Sequence, residues 1–264
     1  MEERKYRKCR HSRGKIRKMC DMADVSQLYN LDAVNYTSTV SDYEELLCTE
    51  VISEWIREKG ILDQIGEGIP NDLRKGDYIV DNHDGDTIDS KNKCSNRIEE
   101  ITAKEMYGKS YDNIGEIVAY QVPLDDEQKR GKIDLLSVNN DTLKIHILEL
   151  KRYNDEETGK TSKETMLRCL LESFTYYKII DLDKLKTELK AKGKLSKEPG
   201  LYEFVVSPLV FKDTQPFNEM IEIKNGKRKK LNDLIDYMNT IVTVIPYYLD
   251  RNGEDVAKAN CYGF

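Results

Sequence analysis

The chain reads as an α/β protein. Four short runs have strand character: 115–124, 132–138, 143–151 and 201–206. Two helical segments, 96–107 and 162–180, bracket the first three runs. No internal repeat or long low-complexity linker interrupts them. With 264 residues, 39% of them hydrophobic, the chain is long enough to bury one sizeable core.

The elements can be justified in order. Asp42 to Lys59 carries Tyr43, Leu46, Leu47, Val51, Ile52, Trp55 and Ile56 on one face, which predicts an amphipathic helix. Ser41 or Asp42 would cap it and Gly60 would end it. A helix over 96–107, capped by Ser95 or Asn96, ends at Gly108. The run 115–124 is a strand ending near Pro123. The runs 132–138 and 143–151 flank the turn Asn139-Asn140-Asp141 and read as a hairpin. Ser162 to Ile180 is a strong helix, with Leu167, Leu170, Leu171, Phe174 and Tyr177 on one stripe. A basic linker leads to the short buried strand 201–206. A helix over Lys229 to Asn239 and an apolar strand-like run from Ile241 to Leu249 close the chain.

The hairpin carries the chemistry. Gly131-Lys132-Ile133-Asp134 opens it and Glu149-Leu150-Lys151 ends it, so two carboxylates and a lysine meet at one end. Side chains two apart on a strand share a face, so Glu149 and Lys151 project together and Leu150 faces away. Mg²⁺ takes oxygen ligands, keeps several waters and needs only one or two carboxylates. Glu149 interrupts an apolar run, and a carboxylate is seldom buried without a partner or a metal. His146 points to the opposite face and reads as a half-buried strand histidine.

Asp134 followed by Glu149-Leu150-Lys151 resembles the signature of the PD-(D/E)xK, or restriction-endonuclease-like, nuclease superfamily, with Ile133 in place of the proline. The order helix, three strands, helix, strand is similar to that superfamily's αβββαβ core, over roughly residues 95 to 210. The resemblance implies a mixed central sheet flanked by helices, in a nuclease-like domain over 95–264. Residues 1–94 form a basic, mainly helical extension outside it.

The activity implied is Mg²⁺-dependent hydrolysis of phosphodiesters, with Mn²⁺ able to substitute and DNA expected ahead of RNA. Asp134, Glu149 and the Leu150 carbonyl would hold the metal, and Lys151 would orient water or offset charge on phosphorus. The family often adds an acid from the first helix. At about 100° per residue, Glu99 lies within the arc of Ile98, Ile101, Ala103 and Met106, so it is the first choice, with Glu100 second. Some exonuclease-type members bear Gln-x-x-x-Tyr on the helix after the motif; the Gln is absent here. Lys163 and Arg168 are the phosphate-contact candidates, and Arg168 with Glu172 also makes an i,i+4 pair. The alternative is a silent nuclease-like scaffold that binds nucleic acid or protein.

Composition narrows the partners. A net charge of −6 argues against non-specific coating of nucleic acid. The charge is uneven, however: the first twenty residues, Lys184 to Lys197 and Lys224 to Lys230 are basic, and 63–100 is acid-rich. No apolar run approaches the ~18 residues of a membrane span, and no signal-type segment follows the basic N-terminus. Cys9, Cys20, Cys48, Cys94, Cys169 and Cys261 include no C-x-x-C pair and read as cytoplasmic thiols. Cys9, His11 and Cys20 lack a fourth zinc ligand, and Asp81 to Asp86 misses EF-hand spacing. A homodimer or partner protein would engage the N-terminal region.

Overall fold

The computed structural model describes residues 10–70, 73–79, 98–127, 129–151, 164–212, 214–252 and 255–261, with backbone alone at 98 and beyond 250. The protein is α/β, with one mixed sheet flanked by helices. Strands β1 (Ser110–Tyr111), β2 (Gly115–Pro123), β3 (Lys132–Asn139) and β4 (Lys144–Lys151) follow one another antiparallel. β5 (Glu203–Phe211) lies parallel to β4, and β7 (Tyr247–Asn252) parallel to β5. β8 (Asp255–Cys261) pairs antiparallel with β7, and β6 (Thr243–Val244) pairs with the first half of β5.

Each face of the sheet has its own apolar cluster. The smaller one packs Ala103 and Met106 of α4 (Ile98–Met106) on Ile117, Tyr120, Leu135, Leu148, Leu150 and Leu209. The larger one centres on α5 (Met166–Ile179), which crosses over between the parallel strands β4 and β5. Thr165 starts α5: its Oγ1 accepts from Arg168 N and donates to Val34 O at 2.6 Å, so the cap also ties α5 to the N-terminal region. The order α4, β2, β3, β4, α5, β5 matches the expected sequence of elements.

Among the described residues the N-terminal region has no core separate from the larger cluster. Ile16 of α1 (Arg13–Asp21), Trp55 and Ile56 of α2 (Cys48–Lys59), and Leu62 of α3 (Ile61–Gln64) share the larger cluster with Phe174 and with Leu231 of α8 (Lys229–Asn239). Gly60 ends α2 in the left-handed conformation at φ 61°.

Several elements differ from the sequence reading. α2 begins at Cys48 because 38–47 folds as a hairpin-like turn, with Thr39 bridged to Leu47 and Val40 N bonded to Leu46 O. Asp42 instead accepts from Arg13 N, the first N–H of α1, at 2.8 Å, beside the Ser12 cap. The basic linker contains a helix, α6 (Leu182–Ala191), anchored by only Leu185 and Leu189. A further helix, α7 (Gln215–Lys224), stands where no element was expected, and β5 runs on through Pro208 to Phe211. The expected caps Ser95 and Asn96 and the turn 81–86 lie outside the described residues.

Candidate active site

The β3–β4 ladder has its last pair at Leu135↔Leu148. Beyond it the Asp134 carboxylate takes the place of a backbone partner: Oδ2 accepts from Leu150 N at 2.9 Å. β4 stays anchored on its other side, where it pairs with β5 through Lys151↔Val210. Asp134, Glu149 and Lys151 are thus held on paired strands, and all three are buried. A strand residue directs its N–H and C=O to the same neighbour, so the Leu150 carbonyl faces the Asp134 side.

The lysine is shared between two acids. Lys151 Nζ lies 2.6 Å from Glu149 Oε1 and 2.8 Å from Oε2 of Glu172 on α5. Glu172 Oε1 accepts from Tyr176 OH at 2.9 Å, and Arg168 Nε stands 3.5 Å from Glu172 Oε2. Asp134 Oδ1 accepts from the Gln121 amide at 2.8 Å. Glu149 Oε2 is buried and accepts no hydrogen bond among the described residues. Gly131, at φ 94°, passes so close to Tyr176 that an added Cβ would sit 2.8 Å from its hydroxyl. Tyr29, from a 3₁₀ segment at Val25–Asn30, meets Tyr176 edge-on with centroids 5.8 Å apart.

The electrostatics follow from crowding acids in a dry place. Burial, reinforced by the Glu99 and Glu172 charges, raises the Asp134 carboxyl to about 7. Glu149 is raised well above the usual range by burial and by Asp134 and Glu172, which outweigh its short contact with Lys151. Glu172 goes the other way: burial opposes ionisation, but Lys151, Arg168 and Tyr176 prevail and lower it. Burial also pulls against the Lys151 ammonium, yet the surrounding acids raise it well above its ordinary value. Lys151 is therefore a cation at neutral pH and not a base.

The sequence candidates fall as follows. Asp134, Glu149, Leu150 and Lys151 converge. Glu99 is half-buried in the first turn of α4, and its charge reaches both Asp134 and Lys151; Glu100 is exposed. Lys163 lies outside the described residues. Arg168 is not a free surface cation, since Nε also stands 3.1 Å from Glu164. His146 is fully buried on the other face, with Nδ1 3.0 Å from Ser207 Oγ. Cys20, Cys48 and Cys169 are buried. Members of two of the basic runs are engaged in structure. Arg228 is buried between Glu219 and Glu222, at 2.7 and 2.8 Å, and Lys184 donates to the carbonyls of Arg74 and Gly76.

Sequence reasoning missed Gln121, Glu172 and Tyr176. The signal for the last two was present: Glu172 and Tyr176 have the i,i+4 spacing of the Gln-x-x-x-Tyr pattern, with Glu where that pattern has Gln.

The donor set fits a hard divalent cation. Two carboxylates and a carbonyl suffice for Mg²⁺, and the Glu149 oxygen without a hydrogen bond is a buried acceptor that such an ion would satisfy. Among the described residues no group of three or more His, Cys, Asp or Glu is placed to hold a metal ion by itself. No protein-family model, curated protein or solved structure matches this chain.

Proposed function

We propose that this protein is a divalent-metal-dependent nuclease of the PD-(D/E)xK type, hydrolysing phosphodiester bonds of nucleic acid, with DNA ahead of RNA. One observation carries the reading. Buried Lys151 is held between Glu149 and Glu172, with buried Asp134 on the neighbouring strand, and one Glu149 oxygen has no hydrogen bond among the described residues. A structural ion pair requires neither the excess of acids nor that oxygen.

Asp134, Glu149 and the Leu150 carbonyl would hold Mg²⁺, with Glu99 as a further acid. When bound, the ion supplies a compact charge that polarises phosphoryl oxygens and makes a water acidic enough to attack. The protein's own residues do the rest. Gln121 and Leu150 N–H fix both Asp134 oxygens. Glu172, pinned by Tyr176 and Arg168, keeps its hold on Lys151 when Glu149 turns to another partner. Lys151 then presents its ammonium to the phosphate, where it orients the attacking water and offsets developing charge.

Substrate phosphates have their own contacts. Arg130, on the β2–β3 connection, and Lys132, the first residue of β3, lie just before Asp134 and make no ion pair with any described residue. These two residues join Lys163 and Arg168 as candidates for phosphate contact. Changing both to Gln should weaken oligonucleotide binding and flatten its salt dependence by about one to two counterions, with cleavage at saturating substrate retained.

The catalytic assignment has its own test. Asp134→Ala and Lys151→Ala should leave the circular dichroism spectrum unchanged and abolish Mg²⁺-dependent cleavage. A variant as active as the parent contradicts the assignment.

A further inference from the structure

Among the described residues, two that are not glycine have positive φ. Leu143, at 55°, sits in the turn between β3 and β4, where such angles are ordinary. Gln121, at 49°, lies inside β2, directly across the sheet from Asp134. In that conformation the Cβ of an L-residue crowds the following carbonyl, and glycine or asparagine is the usual occupant. Strain of this kind persists only where the surroundings enforce it, and it collects at functional sites.

The strain has a local consequence. In a regular strand Tyr120 and Val122 would lie on opposite sides of Gln121 in sequence but on one face of the sheet. Here Tyr120 belongs to the α4-side core and Val122 to the α5-side core. The alternation reverses at Gln121 and likewise at Asp134 across from it, where Ile133 and Leu135 divide between the same two cores, and the Gln121 side chain reaches the Asp134 carboxylate, where Nε2 donates to Oδ1 at 2.8 Å.

Resting on the nuclease reading above, we propose that Gln121 is a positioning residue of the metal centre. Its amide takes one lone pair of Asp134 Oδ1 while Leu150 N–H takes one of Oδ2. The carboxylate is thereby held at both oxygens, and each oxygen keeps a lone pair for a metal. Partners of this second kind around metal ligands are worth about 10- to 100-fold in metal affinity.

The alternative is that Gln121 only bends the strand. Glycine separates the two roles, because it accepts the left-handed angle and lacks the amide. The experiment is Mn²⁺ titration by calorimetry, with thermal melting of the metal-free protein, on the parent, Gln121→Gly, Gln121→Ala and Asp134→Ala. Gln121→Gly should melt no lower than the parent yet bind Mn²⁺ about 10-fold more weakly. Gln121→Ala should lose the same affinity and also melt lower. In cleavage assays Gln121→Gly should lower kcat and leave the KM for an oligonucleotide unchanged. Parental Mn²⁺ affinity in Gln121→Gly, or a melting temperature well below the parent's, overturns the proposal while leaving the metal centre standing. A parent that binds no Mn²⁺, or Asp134→Ala binding it like the parent, overturns both readings.

Discussion

Asp134 shows how much one residue's surroundings decide. The folded carboxyl titrates at about 7 against an ordinary 3.8, so the fold holds that proton more tightly than the unfolded chain does. The resulting stabilisation is complete below about pH 4 and is lost as pH rises through 7. His146 acts with the opposite sign. Burial and Lys144 lower it to about 3, so its contribution is present above pH 6.5 and lost as pH falls. Asp134→Asn isolates the carboxylate from that background. In metal-free protein the melting temperature of the variant should gain on the parent's between pH 5 and pH 8, and Mg²⁺ should stabilise the parent alone. A difference between the two proteins that does not change with pH contradicts the burial argument. Asp134, Glu149 and Lys151 were legible in the sequence because strand alternation and a hairpin place them together without tertiary information. Gln121 was not legible, since a left-handed angle inside a strand leaves no mark in composition. Glu172 was hidden because its i,i+4 partner Arg168 already accounted for it locally.

At the level of elements, legibility tracked the density of apolar spacing. Helix α8 has the bounds expected, with Leu231, Leu234, Ile235 and Met238 on one buried stripe. Helix α6 buries only Leu185 and Leu189 among lysines that cap loop carbonyls, so its sequence resembles a solvated linker. β5 was cut short at the approach to Pro208, which falls between the part of the strand paired with β6 and the part paired with β7. Two substitutions test how the elements are tied together. Thr165→Ala removes both the α5 cap and the bond to Val34 O, and should cost about 1–2 kcal/mol in urea denaturation. Arg228→Leu leaves Glu219 buried with its countercharge gone, although Glu219 also receives Met166 N at the start of α5. That change should cost about 3–5 kcal/mol. A loss under 1 kcal/mol for Arg228→Leu would mean that this network is solvated.

Across the whole molecule, described elements on the two sides of the boundary expected near residue 94 pack on one another. α2 and α8 lie against each other, Glu50 Oε1 and Oε2 accept from Leu231 N and Lys230 N, and Tyr29 reaches the Tyr176 ring beside the site. A fragment spanning 95–264 should therefore fail to give a cooperative urea transition; a sharp transition like the parent's would restore an independent domain. This integration was not readable from the sequence, because apolar faces show that a helix packs but not on what. Among the described residues no helix is long and apolar enough to cross a membrane. The central claim concerns chemistry, and cleavage tests it most directly. Labelled linear duplex DNA, circular single-stranded DNA and RNA would each be incubated with the protein and Mg²⁺ or Mn²⁺, with Lys151→Ala in parallel. We expect metal-dependent cutting of at least one substrate that disappears in Lys151→Ala. No cutting of any of them, together with tight metal-independent binding, would contradict the nuclease reading and leave a nuclease-like binding scaffold in its place.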